Sequence, residues 1–193
     1  MRHDDRVTSA PSRVERYVAH LDALAGGAVP RFWTVESSHP DLPGVTAIGY
    51  RDLPEEGLFT GLTYGLSLAE NALWQHGRPE LCICVRSQDP AWVLAAAFLA
   101  EQLRGSCPFR YGDTLDFGEA VAAESTMDGF VVLAPMVLDQ EDAWIEVGDD
   151  HPLHLQGLYP VHRSEREFIR ANGLEAFWRL DWDPYDVTRA PVA

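Results

Sequence analysis

No lysine occurs anywhere in the chain; all 15 basic residues are arginine. That absence excludes whole chemistries: there is no Schiff base, no phosphate-loop lysine, no kinase strand lysine and no Ser-x-x-Lys acylation site. Basic charge of any kind is scarce. Thirty acidic residues against the 15 arginines leave a formal net charge of −15. Such a surface repels nucleic-acid phosphates and anionic membranes, and it suits a basic partner or plain solubility. Long apolar runs are missing as well. The longest, AWVLAAAFLA at 91–100, is ten residues, too short to span a bilayer. The opening MRHDDRVTSAPS is polar and has no apolar stretch of signal-peptide type. Cysteine is limited to Cys82, Cys84 and Cys107, an odd number. With no export signal these read as reduced thiols, and the expected location is the cytoplasm.

What is present describes one folded domain. The hydrophobic fraction of 46% is that of a globular chain. Ser12 and Glu15 form a capping box, and Val14, Tyr17, Val18, Leu21 and Leu24 then repeat at helical spacing until Gly26-Gly27. RFWTVES, GVTAIGY, GLFTGLTYGLS and LCICVRS read as strands separated by Pro, Gly and Asp turns. In the last of these, alternation places Leu81, Ile83 and Val85 on one face and Cys82 and Cys84 on the other. Asp89 as N-cap and Pro90 as first residue open a second helix, apolar nearly all round and therefore buried. DTLDFGEAV, GFVVLAPMVL and HPLHLQGLYPVH are further strands. Residues 139–150, with six acids and no base, form a loop or short edge hairpin. Ser164, with Glu167 three residues on, caps a third helix that GLEAFWRL continues or restarts. Strands come in runs rather than alternating singly with helices. The expected fold is α+β, a single domain with a mixed, largely antiparallel sheet packed with helices. The expected boundaries are a frayed tail at 1–11, the domain at 12–187 and a short tail at 188–193.

Several motifs carry possible chemistry. Gly65-Leu66-Ser67-Leu68-Ala69 is one residue short of the G-x-S-x-G nucleophile elbow. Asp128 or Asp150 followed by His154 or His162 keeps the order of a triad, but no oxyanion stretch and no upstream run of βα units accompanies it. For a metal, His151, His154 and His162, or Cys82 and Cys84, offer ligand types. On a strand, however, His151 and His154 point to opposite faces, and no familiar zinc spacing is complete. Gly57, Gly61 and Gly65 are evenly spaced, yet no helix N-terminus follows in register; strand glycines mark bulges or close backbone approach. The paired acids Glu55-Glu56 and Asp149-Asp150, and Asp181 with Asp183 and Asp186, read as solvated charge. Trp74, Trp144, Trp178 and Trp182 lie in or near polar stretches, where large aromatics serve as interface anchors or as half-buried core.

GVTAIGYRDLPEEGLFTGLTYGLS followed by PELCICVRS resembles the Suppressor of Fused family, whose aromatic-Gly-Leu-Ser stretch ends a strand and precedes a Glu-Leu strand. RYGDTLDFGE, the Ala123-Glu124-Ser125 loop, FVVLAPMVL and LQGLYPVHRSEREFIRANGLEAFW keep the family's order, so the resemblance spans roughly 12–187. It implies a single lobe of stand-alone bacterial type that binds another protein and catalyses nothing, with no cofactor and no metal. The family's eukaryotic member is two-lobed and sequesters Gli-type transcription factors; stand-alone relatives are thought to serve as immunity proteins that neutralise a cognate toxin. In that motif Ser67 has no known nucleophilic role. The loop LAENALWQHGRP departs from the eukaryotic partner-binding loop, and no second lobe follows, so no Gli contacts carry over. The expected partner is another protein, with a basic toxin domain as the candidate, rather than nucleic acid or membrane. Its expected contacts are Trp74, His76, Trp144, Asp149, Asp150, Trp182 and Asp183, from loop 70–79, loop 139–150 and tail 181–186. The alternatives are a small serine hydrolase using Ser67 and a regulatory scaffold without a toxin partner.

Overall fold

A computed structural model describes residues 10–193. The expected tail at 1–11 lies almost wholly outside the described residues. Helix α1 (Arg13–Ala25) starts at the Ser12–Glu15 capping box and stops at Gly26, in the left-handed conformation with φ 58°. Its buried stripe is Tyr17, Leu21 and Ala25. Val14, expected on that stripe, is exposed, because the stripe continues back at four-residue spacing through Arg13, which packs over the Tyr64 ring, and not through Val14.

Strands β1 (Arg31–Thr34), β2 (Thr46–Arg51), β3 (Phe59–Tyr64) and β4 (Arg78–Val85) run antiparallel, each paired with the next. Helix α2 (Ala91–Leu103) follows. Its first helical residue is Ala91 rather than Pro90, and the Asp89 carboxylate accepts the Ala91 amide at 2.9 Å. After it come β5 (Thr114–Asp116), β6 (Gly129–Leu133), the two-residue β7 (Trp144–Ile145) and β8 (Leu153–Val161). The order across the eight-stranded sheet is β1-β2-β3-β4-β8-β6-β5, with β7 attached to β8. Among the described pairs β4–β8 alone is parallel, so the sheet is mixed and largely antiparallel. The 139–150 loop contains the short edge strand β7.

Helix α3 (Arg163–Asn172) is capped two residues earlier than expected. His162, not Ser164, is its N-cap, and Glu165, not Glu167, accepts the His162 amide, at 2.9 Å. Proximity to β8, which ends at Val161, sets that start. Gly173 at φ 85° breaks the helix, and α4 (Leu174–Trp178) restarts it.

Both faces of the sheet are covered. Leu81, Ile83 and Val85 pack with α2 residues Trp92, Val93, Ala96 and Ala100 in one core. Cys82, on the other face, joins Tyr17, Leu21, Leu153 and Leu155 beneath α1. Val131, Leu133, Tyr159 and Val161 pack against Ile169 of α3 and Phe177 of α4. Gly61 marks a close approach: a Cβ there would come within 2.6 Å of Val93. Helix α2 lies over β2, β3 and β4. On β8, Leu153 and Leu155 are buried while His154 and Gln156, alternating to the α2 side, are only half-buried. The α2 layer therefore ends before the first half of β8, and a groove opens there. No helix among the described residues is long and apolar enough to cross a membrane.

Candidate partner-binding groove

The Gly-Leu-Ser stretch is structural. β3 ends at Tyr64; Gly65, at φ 128°, reverses the chain into a single 3-10 turn over Leu66–Leu68. Ser67 is fully buried. Its Oγ donates to Glu80 Oε1 at 2.6 Å and accepts from Arg13 Nη2 at 2.7 Å. Glu80 also accepts from Thr63 Oγ1 at 2.7 Å and from the Gly65 and Ser67 amides at 2.8 and 3.1 Å. Burial pushes the Glu80 carboxyl above the usual range, against those same hydrogen bonds. The Gly-Leu-Ser and Glu-Leu motifs are thus two halves of one buried clasp. Among the described residues no imidazole bonds Ser67, and β4 rather than a helix is the next long element, so the geometry is not that of a nucleophile elbow.

Other buried polar side chains likewise hold the frame. Glu101 and Arg104 pair at 2.9 Å at the end of α2; Glu101 accepts from the Ser38 and Val45 amides, and Arg104 donates to the Pro43 and Gly65 carbonyls. Glu124, in the loop singled out by the resemblance, accepts from Ser87 Oγ and Trp92 Nε1. Cys82 and Cys84 are buried free thiols; burial raises both, Cys84 to about 11. The histidines are dispersed: His154 is on β8, His162 caps α3 with its Nε2 3.0 Å from the Arg189 carbonyl, and His151 lies in the turn before β8. Among the described residues no three His, Cys, Asp or Glu side chains gather as a metal site.

The groove beside β8 has a volume of about 410 Å³. Its walls are the 73–77 loop, the 108–111 loop that follows α2, Trp144, and His154 and Gln156 from the sheet. Trp74 is locked by its indole Nε1, which donates to the Pro108 carbonyl at 3.1 Å. Trp144 stacks on His154, with ring centres 3.9 Å apart and planes 9° from parallel. Gly77 makes room for it; a Cβ there would come 2.7 Å from the indole. Burial holds the His154 imidazole below the usual histidine range. Around the opening Leu73, Tyr111 and Trp144 are 50%, 59% and 38% exposed.

The structure brings three of the seven expected contact residues, Trp74, His76 and Trp144, to this groove. Asp149 and Asp150 lie in a shallow depression with Arg78, one residue from the groove's Gly77, and Asp149 pairs with Arg13 at 2.9 Å. Trp182 and Asp183 are elsewhere. Trp182 packs on Phe177 and Trp178 with Arg189 over its ring, and Asp183 pairs at 2.8 Å with Arg86, just past the far end of β4. Eight strand residues, roughly 26 Å, separate the two ends. Sequence reasoning missed Leu73, Arg110, Tyr111 and Gln156. Tyr111 has a usable signal, an aromatic inside the Pro/Gly-bounded loop 108–112; His154 is read from sequence as a triad or metal-ligand candidate rather than as part of a groove.

A mixed eight-stranded sheet with α2 on one side, α1 and α3–α4 on the other, and a Gly-Leu-Ser turn clasped by a buried glutamate defines the class of domain. The family model of the Suppressor of fused protein (SUFU) matches residues 41–190, and the chain belongs to that family. No curated protein matches it. Among solved structures, a SUFU homolog from Neisseria gonorrhoeae superposes with a TM-score of 0.72 at 19% identity, covering 91% of this chain and 94% of that one. Drosophila Suppressor of Fused gives 0.64 at 13% identity, with 94% of this chain spanning 51% of that protein. A chain of the Sufu–Fu complex gives 0.63 at 12% identity, covering 95% of this chain and 93% of that one.

Proposed function

We propose that this chain is a non-catalytic protein-binding module that seats a partner in the groove beside β8, and that the partner is a basic protein, as in an immunity-type protein neutralising a cognate toxin. The observation that carries the reading is the gathering of exposed Leu73, Tyr111 and Trp144 around one groove whose deeper walls are held rigid. Exposed aromatics over a fixed cavity are the anchors of protein interfaces, because they bury large area at little entropic cost. A relative crystallised as the Sufu–Fu complex supports the binding class. The net charge of −15 and the six acids of 139–150 support a basic partner, since opposite fields speed encounter.

The test is capture from the chain's own host by tagged wild type, Trp144→Ala and Tyr111→Ala, identified by mass spectrometry at low and moderate salt. One stoichiometric basic protein, reduced in both variants and by salt, is the expected result. Equal capture by all three defeats the groove. No specific capture at either salt defeats the binding reading. Fluorophosphonate labelling lost in Ser67→Ala would establish the hydrolase alternative, which the burial of Ser67 disfavours.

A further inference from the structure

We propose that the groove receives a carboxylate-bearing side chain of the partner next to an apolar or aromatic one, with Arg110 as the receiving cation; this rests on the protein-binding reading above. The chain has twice as many acids as arginines, 30 against 15, yet among the described residues no Asp or Glu lines this groove, and Arg110 does. Arg13, Arg78, Arg86, Arg104 and Arg166 each pair with a carboxylate, whereas Arg16, Arg51 and Arg170 bond neutral groups; Arg110 differs from these in lining the groove. Among the described residues the Arg110 guanidinium makes no ion pair and no hydrogen bond. Asp113, the acid beside it, accepts the Arg110 backbone amide at 2.7 Å instead.

The segment carrying Arg110 is fixed before any partner arrives. Phe109 is buried at φ 52°, a strained conformation for a bulky residue that burial of its ring offsets. The Gly112 amide donates to the Val132 carbonyl at 2.7 Å, and Cys107 Sγ accepts the Phe109 amide. Arg110 and Tyr111 thus stand on a held loop facing Trp74 and Trp144. The remaining titratable groups in the groove are His76 and His154. His154 is stacked under Trp144, and its Nδ1 is taken by the Gln156 amide at 2.7 Å.

A cationic side chain entering here meets Arg110 and no compensating acid. A carboxylate meets an exposed, planar donor fork beside aromatic walls, and such a charge-assisted bond is stronger than a neutral one. Asp113 borders the Arg110 loop and is taken up by its backbone amide, and Asp139 and Glu141 lie with Trp144 in a separate depression. A basic partner therefore places its cations outside the groove and an acidic–aromatic pair inside it. The two sides of Trp144 read opposite charges.

The probes are three blocked peptides, Ac-Ala-Glu-Phe-Ala-NH2 and its Gln and Lys counterparts, titrated into the whole protein and followed by tryptophan fluorescence. The Glu peptide is expected to bind about tenfold more tightly than the Gln peptide, and the Lys peptide more weakly than either. Arg110→Gln, an exposed substitution, is expected to erase the Glu–Gln difference. Equal binding of all three, preference for Lys, or no binding of the Glu peptide up to ~10 mM overturns the assignment. The capture assay separates the two readings. Capture lost in Trp144→Ala but intact in Arg110→Glu defeats the carboxylate assignment alone; capture intact in both defeats the groove itself.

Discussion

Glu80 is a buried carboxyl that accepts four hydrogen bonds from the strand end and turn of the Gly-Leu-Ser motif. Removing it strands the Gly65 and Ser67 amides without partners in a water-free site, at a cost of about 3–5 kcal/mol for Glu80→Ala. Urea unfolding measures that loss; a change under about 1 kcal/mol would show that the clasp is dispensable. The same residue gives a pH signature. Folding raises its pKa above 4.5, chiefly through burial, so the folded state holds the proton more tightly than the unfolded one. Its contribution is complete below the ordinary value and declines as pH rises from there through the raised folded value. Glu80→Gln stays neutral throughout. Wild-type stability relative to that variant therefore falls across this window, and a flat difference from about pH 4 to about pH 8 contradicts the assignment. In the sequence the two halves of the clasp were visible as a resemblance, while their meeting was not. Thirteen residues separate Ser67 from Glu80, and only the antiparallel return of β4 on β3 closes the gap.

At the scale of elements, the sheet and its helices follow from local pattern, and the exceptions have local causes. The even spacing of Gly57, Gly61 and Gly65 does not make a phosphate loop; Gly61 lets α2 lie against β3. Gly61→Ala forces a methyl group into Val93, at a cost of about 1–3 kcal/mol. Val93→Ala alone opens a cavity, and the double variant loses less than the sum of the two because the added methyl takes part of the vacated space. Strict additivity in a double-mutant cycle would mean the two residues do not touch. The α3 cap was read two residues late, at Ser164, because Ser-x-x-Glu is the stronger local signal. His162 is the cap in the fold. β8 ends at Val161, and Glu165 is held in place by Arg189 and the Val192 amide as well as by the His162 amide. Long-range contacts from the last residues of the chain outweigh the local preference.

For the whole molecule, the charge is lopsided but not uniform. The 139–150 segment gathers six acids, and the adjoining groove has none. On the proposed reading, a basic partner would be steered by the first and selected by the second. Asp150→Arg is expected to slow association several-fold at low salt and to matter little at high salt, where the field is screened. Asp149→Arg slows it too, and in addition releases Arg13, which holds Ser67. Stopped-flow association at two ionic strengths measures both; an unchanged low-salt on-rate removes these acids from the interface.

The sequence alone determined the element inventory, the mixed and mainly antiparallel sheet, the buried α2 and the alternation of Leu81, Ile83 and Val85 against Cys82. These are properties of neighbours along the chain, where periodicity and capping act. It also determined the charge, and with it the class of partner that the field favours. The tertiary structure alone decided which aromatics line the groove. Trp74, Trp144 and Trp182 look alike in sequence, each in a polar stretch. Trp182 is packed by α4 and Arg189, whereas Trp74 and Trp144 meet at a groove left open because α2 covers β2, β3 and β4 and stops short of the first half of β8. Where a covering layer ends depends on helix placement across the sheet, and no spacing along the chain encodes that.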